Sequence, residues 1–248
     1  MSSVLAIGSQ KGGIGKTTTA GNLAAAWGAA GLRVLAVDLD PQFALTRRFG
    51  RSPAELAGTT FEVLSGTVDT RQAIWSGAAP GVDLLGARRE LARLELALAG
   101  EHHREQFLAD SLEGLDGYDL IVIDCPPNLG LLTVNAFVAA DQVVVPVDMT
   151  DEGALQGAAE VRGIVNRLAG HSSVAIRALV RTKVDRRRVV YQQMNASLPA
   201  LDLPIAQAEV PLTAAFQNAA AERLPLLSWR HDSVGAAAYR RLAQELLL

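Results

Sequence analysis

The chain has one cysteine, Cys125, in 248 residues. That excludes a disulfide framework, and within one chain it excludes a cysteine-held zinc or iron–sulfur site. There is no excess of positive charge: 23 Lys and Arg stand against 26 Asp and Glu, a net charge of −3. A globally basic nucleic-acid binder is ruled out, so any such contact must come from a local patch. No apolar run approaches the roughly 20 residues that cross a bilayer. The N-terminus lacks a basic region, and Gly8 and Gln10 break its apolar stretch, so it does not read as a signal peptide. No internal repeat, low-complexity linker or domain boundary is visible. What is present is an apolar fraction of 49%, enough for a large buried core. The expectation is a soluble intracellular protein with a single domain over residues 1–248.

Short β-rich runs alternate with longer Ala/Leu/Arg-rich stretches. Strands are expected over residues 4–8, 33–38, 82–85, 119–124, 142–147, 175–181 and 203–208. Continuous apolar runs such as Leu120-Ile121-Val122-Ile123 and Val143-Val144-Val145 suit strands covered on both faces. Helices are expected over residues 18–30, 52–57, 88–99, 103–112, 150–168, 186–198 and 233–248. Ser52-Pro53-Ala54-Glu55 supplies an N-cap, a first-turn proline and a capping-box Glu. The alternation predicts an α/β fold, a doubly wound and mostly parallel sheet of about seven strands flanked by helices.

The first strand runs into Ser9-Gln10-Lys11-Gly12-Gly13-Ile14-Gly15-Lys16-Thr17-Thr18. A phosphate-binding loop reads G-x-x-x-x-G-K-[ST] between a strand and a helix. Residues 11–18 fit it, except that Gln10 stands where its first glycine belongs. Gly12, Gly13 and Gly15 let the backbone approach phosphates and turn N–H groups inward. The N-terminus of the following helix adds its positive end. Lys16 is expected to reach the β- and γ-phosphates and the Thr17 hydroxyl to ligate Mg²⁺. Two acidic elements follow. Asp38 and Asp40 lie at the carboxyl end of the second strand, on the rim where such folds bind ligands; strand alternation puts them on one side. Asp124 ends the apolar strand Ile121-Val122-Ile123, which suits a residue holding Mg²⁺ directly or through water. Taken singly, each acid also reads as a solvated strand end.

Together these elements resemble the ParA/Soj/MinD group of deviant Walker-A ATPases, and most closely ParA/Soj-type chromosome and plasmid partition proteins. The matching stretches are KGGIGKTTTAGNLA, GLRVLAVDLDPQ, YDLIVIDCPPNLGLLTVNA, ADQVVVPVDMTDEGALQG and DSVGAAAYRRLAQEL, which cover essentially the whole chain. No helix-turn-helix domain of the kind usual before the loop is expected here. The resemblance implies ATP and Mg²⁺ as cofactors, slow hydrolysis, an ATP-dependent homodimer and nonspecific binding to double-stranded DNA. It also implies a ParB-like centromere-binding partner and a cytoplasmic, nucleoid-associated location. Lys11 would be the signature lysine reaching the partner subunit's ATP. Residues Gly12, Gly13, Ile14, Gly15, Lys16, Thr17 and Thr18 would hold the nucleotide. Asp40 would position the attacking water and, with Thr17 and Asp124, belong to the metal's surroundings, while Asp38 supports the loop carrying Asp40. Thr182, Lys183, Val210 and Pro211 would lie near the base. Coulomb repulsion agrees with the role of Lys11: with Lys16 already on its own phosphates, a second ammonium there needs another charge to face.

The chain departs from the group in three places. Phe43-Ala44-Leu45-Thr46 stands where Gly-Asn-Ala-Thr is usual, Asn128 where Ser is common, and residues 211–219 lack the usual arginines. In compensation, eight basic residues (Arg162, Arg167, Arg177, Arg181, Lys183, Arg186, Arg187 and Arg188) fall between positions 162 and 188 against one acid, Asp185. Arg223, Arg230, Arg240 and Arg241 are available to join them. These residues read either as solvated helix faces or as a patch contacting DNA phosphates, with Arg162, Arg167, Arg186, Arg187, Arg188 and Arg223 as the candidate contacts. A MinD-like membrane switch would need a basic amphipathic tail. Residues 239–248 carry two cations followed by Glu245 and read as a helix packed on the domain. A ParA-like positioner of a non-DNA cargo would use identical chemistry.

Overall fold

The computed structural model describes residues 2–170 and 172–247; the last residue of the expected final helix, Leu248, lies outside them. Its centre is a seven-stranded sheet. The strands are β1 (Ser3–Ile7), β2 (Val34–Asp38), β3 (Trp75–Ala79), β4 (Val82–Leu85), β5 (Leu120–Asp124), β6 (Gln142–Asp148) and β7 (Ala175–Thr182). They run in the order β3-β4-β2-β5-β1-β6-β7. Every pairing is parallel except the β3–β4 hairpin. The fold is thus the expected α/β P-loop architecture, and all the central strands end at one rim.

Strand alternation divides the core into two layers. Ala6, Leu35, Val37, Ile121, Ile123, Val143 and Val145 face one layer. Their neighbours Leu5, Ile7, Val34, Ala36, Leu120, Val122 and Val144 face the other. The second layer is covered by α1 (Lys16–Ala29) and the terminal helix Val234–Leu246. Trp27 Nε1 donates to the Ala243 carbonyl at 2.9 Å, and the Tyr239 and Thr19 hydroxyls share a hydrogen bond of 3.0 Å. The terminal helix therefore spends its apolar face on α1.

The expected strand count is right although one member is exchanged. Residues 203–208 do not form a strand. They run beside β7 through an isolated bridge between Leu179 and Ile205. Pro204 lends its carbonyl to Leu179 N at 2.7 Å but has no N–H to return. The missing member is β3, whose Ser, Gly and Ala residues carry little β-propensity; it pairs only at the sheet edge, with an irregular register. The expected helix at residues 52–57 is only a 3₁₀ turn, Pro53–Glu55, although its capping box is formed. The helix expected from residue 186 starts at Val189, leaving Arg186, Arg187 and Arg188 in the preceding loop. Short helices Ala44–Arg48 (α2), Thr60–Leu64 and Ala215–Ala221 and the longer Leu131–Ala139 lay outside the expected set.

Candidate functional site

The loop between β1 and α1 sits at the middle of the rim. Its Gly13 and Gly15 have φ of 75° and 101°, left-handed values at which a Cβ is strained. This turn lets Thr19 N reach the Gly15 carbonyl at 2.8 Å and start α1. No side chain caps α1, so its first-turn N–H groups are left for a ligand in the loop.

The two lysines of the loop go to different places. Lys16 is buried, and its Nζ donates to the Lys11 carbonyl at 2.7 Å, inside the loop. Burial holds its pKa below the ordinary lysine value, opposed by the charges of Asp124, Cys125 and Asp40. The Lys11 side chain leaves the loop on the other side and pairs with Asp151; the two are 42% and 40% exposed. Gly153 makes room for it, since a Cβ there would stand 2.9 Å from Lys11 Nζ.

On the β2/β5 side the carboxylates are buried. Asp38 and Asp124 are direct neighbours in the strand register, and Asp124 also faces Ile7 at the mouth of the loop. Asp38 accepts hydrogen bonds from Asp40 N at 3.1 Å and from Thr46 N and the Thr46 hydroxyl, both at 2.8 Å. It thereby ties residues 40–46 to the strand end. Burial raises its pKa to about 7 against the lowering effect of the Thr46 bonds. Asp40 accepts from Gln42 N at 2.8 Å. Asp124 is fully buried, and among the described residues neither of its oxygens makes a well-formed hydrogen bond; the Thr17 hydroxyl is the donor beside it. Burial and the neighbouring Asp38 charge push its pKa well up, while Thr17 and Lys16 beside it act the other way. A buried carboxylate with only a hydroxyl beside it, next to an open phosphate loop, fits a hard cation bound by few protein oxygens together with phosphates and water. Thr17 and Asp124 could hold such an ion, with the Asp40 charge close by.

The usual glycine after Asp-Pro-Gln also finds its reason here. Phe43 occupies that place at φ 43° and ψ 44°, the left-handed region. Its ring carries the Arg47 guanidinium 5.0 Å from its centroid. Asn128 is exposed and caps its own turn, accepting from Gly130 N at 3.1 Å.

Beyond the loop lies a cavity of about 500 Å³. Thr182, Lys183, Val210 and Pro211 line it together with Gly13, Gly15 and Thr18, so the structure brings the expected base-side residues onto the phosphate loop. The Thr182 hydroxyl itself is engaged, donating to the Ile14 carbonyl at 2.8 Å, and so braces the loop. Lys183 Nζ lies 2.5 Å from Asp148 Oδ2. Arg48, Leu212, Phe216 and Gln217 are also on the wall and were not expected from the sequence, and Arg188, a candidate DNA contact, lines it too. Arg48 had a signal, since it lies two residues after the segment 43–46 that departs from the group's pattern; the others come from the arginine-poor stretch after Pro211.

The candidate DNA arginines are not one patch. Arg162 donates to the Leu201 carbonyl at 2.5 Å and sits with Val174 and Ala175, at the start of β7. Arg186, Arg187 and Arg188 follow the other end of β7, about 25 Å away along an eight-residue strand. Arg167 belongs with Arg162 on the helix Gly153–Leu168, and Arg223 lies by Gly50 and Glu55. The reason is geometric: a helix and a strand running in opposite directions separate residues that are close in sequence. Arg181 is taken by Glu209 at 2.9 Å, by Asn195 and by the Ala206 carbonyl. Arg186 and Arg187 remain 74% and 90% exposed, paired at the surface with Glu209 and Asp185.

Fold and loop together define a P-loop nucleotide-binding protein. Residues 2–177 match the model of a family described as an AAA domain. The chain belongs to this family, as a ParA/MinD-type ATPase of the partitioning and positioning class. It is 34% identical over 250 residues to the chromosome partitioning protein ParA of Caulobacter vibrioides, across 98% of this chain and 93% of that protein. It is 33% identical over 250 residues to the sporulation initiation inhibitor protein Soj of Bacillus subtilis, across 99% of this chain and 98% of Soj. A solved Mycobacterium smegmatis structure, described as cobyrinic acid a,c-diamide synthase with bound ATP analogue and magnesium, shares 32% identity and a TM-score of 0.84. It covers 100% of this chain and 95% of that one.

Proposed function

We propose that the chain is an ATP-driven partition switch. ATP binding closes a sandwich homodimer, and the dimer binds double-stranded DNA without sequence preference. A ParB-like centromere-binding partner then stimulates slow hydrolysis and releases the DNA. ATP and Mg²⁺ are the cofactors. The observation that carries this reading is the divergence of the two loop lysines: Lys16 is buried within its own loop, whereas Lys11 is held half-exposed on the outside by Asp151. A lysine that only served its own phosphates would have no reason to leave them.

The residues divide the work accordingly. Gly12, Gly13, Ile14 and Gly15 offer their backbone, and Lys16, Thr17 and Thr18 hold the phosphates at the N-terminus of α1. Mg²⁺, when bound, neutralises charge on the phosphate oxygens. Thr17 and Asp124 hold it, and Asp40 orients the attacking water. Asp38 keeps Asp40 in place by accepting from Asp40 N directly and from Thr46 at the far end of the segment. Lys11 crosses to the partner subunit's phosphates once Asp151 lets it go. A state that exists only with the γ-phosphate present is what a switch requires.

For DNA, support now falls on the exposed loop arginines Arg186, Arg187 and Arg188 rather than on Arg162 and Arg167. The terminal helix already packs its apolar face on α1, which favours DNA over a lipid surface as the partner. A cytoplasmic, nucleoid-associated location follows from the same reading. The test is DNA binding in the presence of ADP, ATP and a nonhydrolysable analogue, at several salt concentrations. The reading requires binding with the analogue that falls steeply with salt and is shallower in Arg187→Ala/Arg188→Ala. Nucleotide-independent binding would contradict the switch, and an unchanged salt slope would remove these arginines.

A further inference from the structure

Arg48 is the last residue of α2, eight positions after Asp40 and two after Thr46, the residue that Asp38 grips. Its side chain crosses onto α1, with Cγ 3.4 Å from where a Cβ on Gly21 would stand. The guanidinium lines the cavity beside the phosphate loop, together with Thr18, Leu212, Phe216, Gln217 and Tyr239. There its one hydrogen bond among the described residues is a long one, from Nη1 to the Phe216 carbonyl at 3.4 Å, and no carboxylate pairs with it. Burial lowers its pKa, and the Tyr239 and Asp124 charges oppose this. A half-buried guanidinium with five donors and one weak acceptor has donors to spare in the free protein. A ligand that brings acceptors into the cavity would satisfy them.

The phosphate end of that ligand is already provided for by Lys16 and the loop amides. Leu212 and Phe216 give the cavity apolar wall that suits a ring, among polar neighbours such as Thr18, Thr213 and Gln217. We infer that Arg48 is a nucleoside-binding residue, donating to acceptor atoms of the ribose or base, and that it thereby couples occupancy of the nucleoside pocket to the segment carrying Asp40. The inference rests on the reading of this site as an ATP site and adds a residue and a link to it. Because α2 and the Asp38–Thr46 bonds lie on one short segment, fixing Arg48 from the ligand side fixes both ends of residues 38–48. Tripolyphosphate, which has no nucleoside, would fill the loop without engaging this link.

The experiment is calorimetric titration of Mg-ADP and of Mg-tripolyphosphate into wild type, Arg48→Met and Arg48→Lys, with hydrogen exchange of residues 43–50 in the wild type. Arg48→Met is expected to weaken ADP about tenfold, the order of one charge-assisted hydrogen bond, and to leave tripolyphosphate within twofold. Arg48→Lys is expected to fall between. ADP, but not tripolyphosphate, should slow exchange in residues 43–50, a measurement that needs no variant. Unchanged ADP affinity in Arg48→Met, or equal losses for both ligands, would overturn the role of Arg48. Equal protection of residues 43–50 by both ligands would overturn the coupling. Equal affinity of the wild type for both ligands would instead remove the nucleoside pocket, and failure of either to bind would remove the ATP site itself.

Discussion

Aspartates at strand ends flank the phosphate loop on both sides, and the fold treats them oppositely. On the β2/β5 side, Asp38 and Asp124 are buried next to each other, and among the described residues Asp124 makes no well-formed hydrogen bond, with only the Thr17 hydroxyl beside it. On the β6/β7 side, the buried Asp148 is fully partnered by Thr150 and Lys183, and Asp151 by Lys11. The chain's own lysines neutralise the second side. The first is left with concentrated negative charge and a raised affinity for protons. It is therefore the side suited to a cation from outside, while the other side restrains Lys11, the lysine assigned to the partner subunit in the proposed dimer.

The sharpest way to break the comparison is Lys16→Ala. It removes the one cation of the buried side and should weaken ATP binding roughly a hundredfold or more by titration. Asp38→Ala should come next. It leaves the Asp40 and Thr46 amides and the Thr46 hydroxyl without an acceptor, a loss of about 3 kcal/mol or more by chemical denaturation. Third is the pH dependence. The folded pKa of Asp38 stands near 7, above its unfolded value, so the native state holds the proton more tightly. The Asp38 contribution to the stability of the ligand-free protein should then be full below the ordinary carboxylate range and fall as pH rises toward 7, by about 1–3 kcal/mol. Melting curves between pH 5 and 7.5 measure this fall, and Asp38→Asn should flatten it. On the other side the effects are small. Asp151→Asn breaks a half-exposed pair, so stability should move by less than about 1 kcal/mol. Analogue-dependent dimerisation should nevertheless shift to lower protein concentration, because Lys11 starts free.

The two sides also differed in how well the sequence announced them. The loop, Asp38, Asp40 and Asp124 were legible because their chemistry fixes residue types at fixed places: glycines and Lys16 between strand and helix, acids at the ends of apolar strands. The parallel core was legible for the same reason, in runs such as Leu120-Ile121-Val122-Ile123. The β6/β7 side is built by pairings that no local pattern encodes. Lys183 reaches Asp148 across 35 positions, and Thr182 braces Ile14 across 168. The edge strand β3 escaped because an edge hairpin needs no apolar run. Phe43 was visible as a departure, but only the backbone shows that the position demands a left-handed conformation. The arginine series between positions 162 and 188 misled because nearness along the chain was taken for nearness in space.

The central claim is that one loop carries two lysines with two addresses. Sedimentation of wild type and Lys11→Ala with ADP and with a nonhydrolysable ATP analogue tests it most directly, alongside nucleotide titration of the same samples. The account predicts a wild type that is monomeric with ADP and dimeric with the analogue. It predicts a Lys11→Ala protein that stays monomeric with both while binding ADP within about threefold of wild type. A variant that dimerises normally, or that loses ADP as completely as Lys16→Ala does, would contradict it.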